Sequence, residues 1–177
     1  AEPDPYARYR PAMRAEFQSH LDRLGPAPEY WISVTVASDL SKLNGVVNVR
    51  VPNNSPHIWD ELIFRLYPNL DHYEDFPNNK DIMVVQSVVV DGVQTSFVYR
   101  SENTAISVLL QKPLLQREMV DVELTWRLSI PSWVDTSSAY HLLGYSQQIL
   151  SLPLFYPSLA VYDPDASFGQ GAWWLET

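Results

Sequence analysis

Val120-Asp121-Val122-Glu123-Leu124-Thr125-Trp126-Arg127-Leu128-Ser129-Ile130 alternates apolar and polar residues without a break. A period of two sends successive side chains to opposite faces, so the stretch reads as a long β-strand with one dry and one wet side. The chain upstream repeats the pattern in shorter units. Ile32, Val34 and Val36 alternate with Ser33 and Thr35, and Val47, Val49 and Val51 with Asn48 and Arg50. Leu62, Phe64 and Leu66 alternate with Ile63, Arg65 and Tyr67. The β-branched run Val85 to Val90 stops at Asp91-Gly92, a hairpin signal. Phe97 to Arg100 and Ile106 to Leu110 follow, separated by Ser101-Glu102-Asn103-Thr104. Short strands joined by turns predict a mainly β fold, an antiparallel β-sandwich.

Ahead of the strands, Tyr6, Tyr9, Met13, Phe17, Leu21 and Leu24 recur every three or four residues. That spacing predicts one N-terminal α-helix, opening near Pro11 and closing at Gly25-Pro26. Two stretches lack periodicity. Residues 70–81 are polar and acidic and are expected to form a loop. Residues 131–177 carry Pro131, Pro153, Pro157 and Pro164 among many Leu, Tyr and Trp residues, so they are expected to be irregular yet packed.

Composition narrows the function. With 177 residues, 46% of them hydrophobic and 19% charged, the chain suits one globular domain. Twelve Lys and Arg against 21 Asp and Glu give a net charge of −9, which argues against nucleic-acid and anionic-lipid surfaces. No cysteine is present, which excludes disulfides, thiolate metal sites and cysteine nucleophiles. No apolar run approaches the ~20 residues of a membrane-spanning helix. The abrupt ends, Ala1-Glu2-Pro3-Asp4-Pro5 and Trp173-Trp174-Leu175-Glu176-Thr177, predict a piece of a longer protein.

Catalytic signatures are sparse. His20, His57, His72 and His141 have no metal-ligand spacing, and no H-E-x-x-H occurs. Gly144-Tyr145-Ser146 opens like a nucleophile elbow but lacks its closing glycine. Gly169-Gln170-Gly171 reads as a turn, and Asp163-Pro164-Asp165 as another. Asp71, Glu74 and Asp75 lack the glycine and spacing of a calcium loop. Asn53-Asn54-Ser55 matches a glycosylation sequon. Of six tryptophans, Trp126 is expected in the core, and Trp173 and Trp174 either as a ligand platform or packed on a neighbour.

The order of several segments carries more. Leu43-Asn44-Gly45-Val46-Val47-Asn48-Val49-Arg50-Val51-Pro52-Asn53 precedes Leu62-Ile63-Phe64-Arg65-Leu66-Tyr67-Pro68-Asn69. Ser87-Val88-Val89-Val90-Asp91-Gly92 follows, and Phe155-Tyr156-Pro157-Ser158-Leu159-Ala160-Val161-Tyr162-Asp163 stands near the end. This series resembles the N-terminal domain of the aminopeptidase N family, the gluzincin zinc metallopeptidases, in a divergent bacterial branch with a leading helix.

The resemblance implies a saddle-like β-sandwich over residues 27–177, preceded by a helical extension over 1–26. It implies a non-catalytic domain that packs on a catalytic domain and lines the substrate channel. Zinc belongs to that other domain, and this chain contributes no metal ligand and no catalytic residue. The parent is then a zinc aminopeptidase, exported or membrane-associated, whose partner is the amino terminus of a peptide. By position before the aromatic-Pro motif, Gln147 and Gln148, with Tyr145 and Ser146 behind them, correspond to the family's amine-recognition segment. A carboxamide or hydroxyl there accepts hydrogen bonds from an α-ammonium group. The aromatic content supports another class of function: a standalone carbohydrate- or protein-binding sandwich.

Overall fold

The computed structural model describes residues 4, 6–70, 82–130, 132, 143–146 and 149–175. Two antiparallel sheets face each other. The first has five strands in the order β1 (Glu29–Val36), β2 (Lys42–Pro52), β8 (Met119–Ser129), β4 (Met83–Val90) and β5 (Val93–Thr95). The second has four, in the order β11 (Ser158–Leu159), β3 (Trp59–Arg65), β7 (Ala105–Leu114) and β6 (Phe97–Arg100). The mainly β architecture expected from the alternating segments is the one found.

The long strand β8 sits at the centre of the first sheet, between β2 and β4. Its dry face is buried from Val120 through Leu128 at every second residue, and Asp121, Arg127 and Ser129 face solvent. Trp126 is fully buried, and its indole lies over Gly45, its direct partner on β2. A Cβ at Gly45 would stand 2.3 Å from the Trp126 ring, so this glycine is there to admit the ring. Leu43, Val47, Leu124 and Leu128 meet Leu62, Phe64, Ile106 and Val108 from the second sheet in one core.

The hairpin signal at Asp91-Gly92 joins β4 to β5, with Val90 opposite Val93. Both turn residues have positive φ, 47° and 80°, which matches the strand twist and explains the glycine. Strand β3 departs from simple alternation. Leu62 to Leu66 is buried without interruption, because the chain after β11 covers the outer face of β3. Ile63, Ala105 and Ala160 form a small second core there, with Trp173 and Leu175 against it.

The N-terminal helix is shorter than its apolar stripe suggests. Only Ala15–Gln18 (α1) is α-helical, flanked by 3-10 turns at Arg10–Ala12 and Leu21–Arg23. Met13 and Arg14 are extended and interrupt the run. Polar side chains have taken over the backbone groups a longer helix would use. Gln18 donates to the carbonyls of Arg10 and Met13, and Arg10 donates to the carbonyl of Gln18. The Arg10 guanidinium also bridges Asp4 and Asp22, at 2.6 and 2.7 Å. Of the apolar stripe, Leu21 is buried, and Tyr9, Phe17 and Leu24 are exposed.

Two buried asparagines join the sheets at opposite ends. Asn53 follows β2, and its amide donates to the Leu114 carbonyl of β7 at 2.9 Å and to His57 at 2.8 Å. Its oxygen accepts from the backbone and hydroxyl of Ser55. Asn69 follows β3, and its amide donates to Met83 of β4 and to Asn103, while its oxygen accepts from the Met83 N–H at 2.7 Å. A buried polar group stripped of partners costs about 1–3 kcal/mol. Asn53→Ala and Asn69→Ala are each expected to cost about 2–3 kcal/mol, a fall in Tm of roughly 5–10 °C. Asn44→Ala, on the wet face of β2, should stay within about 0.5 kcal/mol in the same calorimetric comparison.

Tyr30 ties β1 to the second sheet. Its oxygen accepts from the Leu159 N–H at 3.0 Å. Burial pushes its phenol pKa up, and the Leu159 N–H works weakly against that. The unfolded chain therefore releases this proton at lower pH than the folded one. The resulting stability is whole below about pH 10 and drains away as pH rises through the folded value. Alkaline titration by circular dichroism should show cooperative unfolding above about pH 10, shallower in Tyr30→Phe.

Candidate functional site

The segment singled out for amine recognition forms a hairpin. Strand β9 (Gly144–Ser146) pairs with β10 (Ile149–Ser151), Tyr145 opposite Leu150. Tyr145 and Leu150 are half-buried and pack on the main core. A parallel bridge from Ser132 to Tyr145 anchors the strand further. Gly144 and Leu143 are buried, and Ile149 is exposed. The hairpin is thus fastened by one side and open on the other. Gln147, Gln148 and the side chain of Ser146 lie outside the described residues. Ser146 occupies a strand rather than a strand-to-helix turn, so it is no nucleophile elbow.

The aromatic-Pro motif follows it in the chain. Phe155 packs against Trp126 with ring centroids 6.1 Å apart, and Tyr156 meets Tyr30 edge-on at 5.7 Å. Ser158 and Leu159 pair with Arg65 and Phe64 of β3, and the Ala160 N–H donates to Ile63 at 2.8 Å. The motif works as an added strand that closes one end of the second sheet.

Further along, β12 (Tyr162–Asp163) pairs with β13 (Ala172–Trp173). Trp59, Tyr162 and Trp173 contact one another with centroids 4.7 to 5.1 Å apart. The Tyr162 hydroxyl lies 2.9 Å from His57 Nδ1. Burial pushes this hydroxyl's pKa up. Gly171, at φ +79°, lies against the pair, and a Cβ there would fall 2.0 Å from the Tyr162 oxygen. A groove of about 420 Å³ runs past Pro28, Tyr30, Pro52, Trp59, Leu159 and Trp173. The contact between histidine and tyrosine clasps the C-terminal segment to the loop after β2.

Other candidates resolve individually. Among the described residues, no group of three His, Asp or Glu could hold a metal ion. His20 stacks edge-on against Phe17 at 5.7 Å. His72, His141 and the carboxylates Asp71, Glu74 and Asp75 lie outside the described residues. Asp163 accepts from the Asp165 N–H at 2.9 Å, a local turn. Trp173 belongs to the aromatic cluster, and Trp174 is exposed. Asn53 of the sequon is fully buried, so the folded chain offers no glycan acceptor there. The strand patterns do not display the structural weight of Asn53, Asn69 and His57; the one available signal is that both asparagines follow a proline, at the end of β2 or in the turn after β3.

No protein-family profile and no curated protein sequence matches this chain. Solved structures do. A mutant of a two-domain M1 zinc metallopeptidase, bound to L-tryptophan, matches 73% of this chain and 28% of its own, at 13% identity and a TM-score of 0.50. An M1 zinc metallopeptidase from Deinococcus radiodurans matches 51% of this chain and 17% of its own, at 16% identity and 0.39. A mutant of that enzyme, bound to a Tyr-Ser-Ala substrate, matches 57% and 20%, at 15% identity and 0.43. The chain spans less than a third of the length of these structures. What the two-domain match shows is the fold: the β-sandwich of this chain is similar to part of an M1 zinc metallopeptidase.

Proposed function

We propose that this chain is a non-catalytic β-sandwich domain of a zinc aminopeptidase-type metallopeptidase, with residues 1–26 as an extension and 27–177 as the sandwich. It packs on a separate catalytic domain and walls part of the substrate channel. Zinc, the water it activates and the general base all belong to that other domain. The observation that carries this reading is the agreement between motif order and fold. The V-N-V-R-V-P-N, L-I-F-R-L-Y-P-N and S-V-V-V-D-G segments occupy β2, β3 and β4 with their closing turns, in a sandwich similar to part of a two-domain M1 enzyme.

Strand β1 adds support. Ile32 and Val34 lie opposite Val47 and Gly45, on the core-facing side of the sheet, yet stand 36% and 42% exposed. Inward-facing side chains left uncovered suit a neighbouring domain. The hairpin segment then takes the substrate's amino end. Gln147 and Gln148 supply carboxamide oxygens to the α-ammonium, with Tyr145 and Ser146 as further acceptors. The net charge of −9 favours a cationic peptide terminus over an anionic one.

The purified chain is expected to bind no zinc by calorimetry and to release no fluorophore from aminoacyl substrates. Zinc-dependent turnover by this chain alone would overturn the domain assignment. In the full-length enzyme, the double variant Gln147→Leu and Gln148→Leu should raise KM for free-amine peptides about tenfold, about 1.4 kcal/mol, with kcat little changed. An unchanged KM would remove the amine-binding role and leave the domain assignment standing.

A further inference from the structure

The wet face of the first sheet holds a second, unrelated feature. Trp31 on β1 is 52% exposed. It lies opposite Asn48 of β2, which lies opposite Glu123 of β8, which lies opposite Val89 of β4. Direct cross-strand partners share a face, so these four form one row across the sheet. Adjacent strands are about 4.8 Å apart, so Trp31 and Glu123 are separated by about 10 Å. In the neighbouring row, Arg50 grips Asp121 through two hydrogen bonds, at 2.9 and 3.0 Å, and its guanidinium lies over the Trp31 ring, 5.9 Å from the ring centre, so a ligand would stack on the part of the indole that Arg50 leaves open. That pairing holds the Asp121 carboxyl below its usual range. The two rows border a shallow depression of about 350 Å³.

The row has unused bonding capacity. Among the described residues, the Asn48 amide and the Glu123 carboxylate make no side-chain hydrogen bond, although both stand on inner strands of the sheet. The face thus sets a half-exposed flat ring in register with an amide and a carboxylate, each with bonding capacity to offer a ligand.

We infer that this face is a binding site for a neutral pyranose. A sugar ring presents axial C–H groups on one side, and the electron-rich face of an indole attracts them. Its rim presents hydroxyls that both donate and accept. Asn48 answers both roles, Glu123 accepts, and Arg50 donates with the hydrogens left over from Asp121. A ring seated on Trp31 turns its rim toward Asn48, one strand away, and a second linked ring reaches Glu123. Charge selects neutral sugars over sulfated or uronic ones, because Glu123 and Asp121 border the site and the chain carries −9 overall. The inference stands apart from the peptidase reading. It uses the face of the sheet opposite the core and none of the hairpin residues.

The test is a titration of the purified chain with cellohexaose and chitohexaose, followed by two-dimensional NMR, with a heparin oligosaccharide as the anionic arm. One of the neutral sugars is expected to shift the Trp31 indole N–H and the amides of Asn48 and Glu123. Trp31→Ala should weaken binding about tenfold or more. Glu123→Gln, which keeps the shape of the wet face, should weaken it several-fold; circular dichroism checks that both variants fold. The inference is overturned if neither neutral sugar moves these resonances, if Trp31→Ala binds as well as the parent chain, or if heparin binds best.

Discussion

A sandwich is held by its core, but a core of interchangeable aliphatics does not by itself fix how two sheets align. Here the alignment depends on two carboxamides. Asn53 links the end of β2 to β7, and Asn69 links the end of β3 to β4. Each belongs to one sheet and bonds the backbone of the other, at opposite ends of the molecule. Backbone groups at strand ends have lost their ladder partners, and in the interior no water replaces them. An amide side chain offers donor and acceptor together, so it can act as a detached piece of strand. Each asparagine follows a buried proline: Pro52 is the last residue of β2, and Pro68 lies in the 3-10 turn Tyr67–Asn69 that follows β3.

The strands were legible because burial on one face leaves a period of two. Strand β8 is the plainest case: the second sheet packs on one of its faces and keeps it dry along its length. The turn at Asp91-Gly92 was legible for another reason, since two consecutive positive φ angles limit the choice of residues. Strand β3 was read as alternating and proved buried on both faces. The cause lies almost a hundred residues away, where Ala160 and Trp173 cover Ile63, and no local window holds that information. The N-terminal stripe misled in the opposite direction. Its spacing fits a helix, but Gln18 and Arg10 compete for the backbone, and the result is one α-helical turn between two 3-10 turns.

The candidate site was readable only in part. Segment order pointed to the hairpin region, and Tyr145 is found there on β9 against the core. The C-terminal clasp could not be anticipated. His57 and Tyr162 are 105 residues apart, and the loop that positions His57 depends on Asn53. The tryptophans illustrate the same limit. Trp126 declared itself by lying on the dry side of an alternating strand. Trp59 and Trp173 meet only after the chain has crossed the whole sandwich. Trp31 is informative because of its neighbours in register, which a linear reading does not display.

The buried sequon has a consequence for how the protein can be made. Glycan transfer in a secretory pathway acts on chains that have not yet folded, when Asn53-Asn54-Ser55 is as accessible as any other tripeptide. In the finished sandwich the same Asn53 amide is committed to Leu114 and His57, with no path to solvent. A sugar attached early would occupy the place where β2 hands over to β7 and would bar the two sheets from closing. Expression in a host that glycosylates nascent chains would therefore divide the product between a folded, unmodified form and a modified form unable to reach that state.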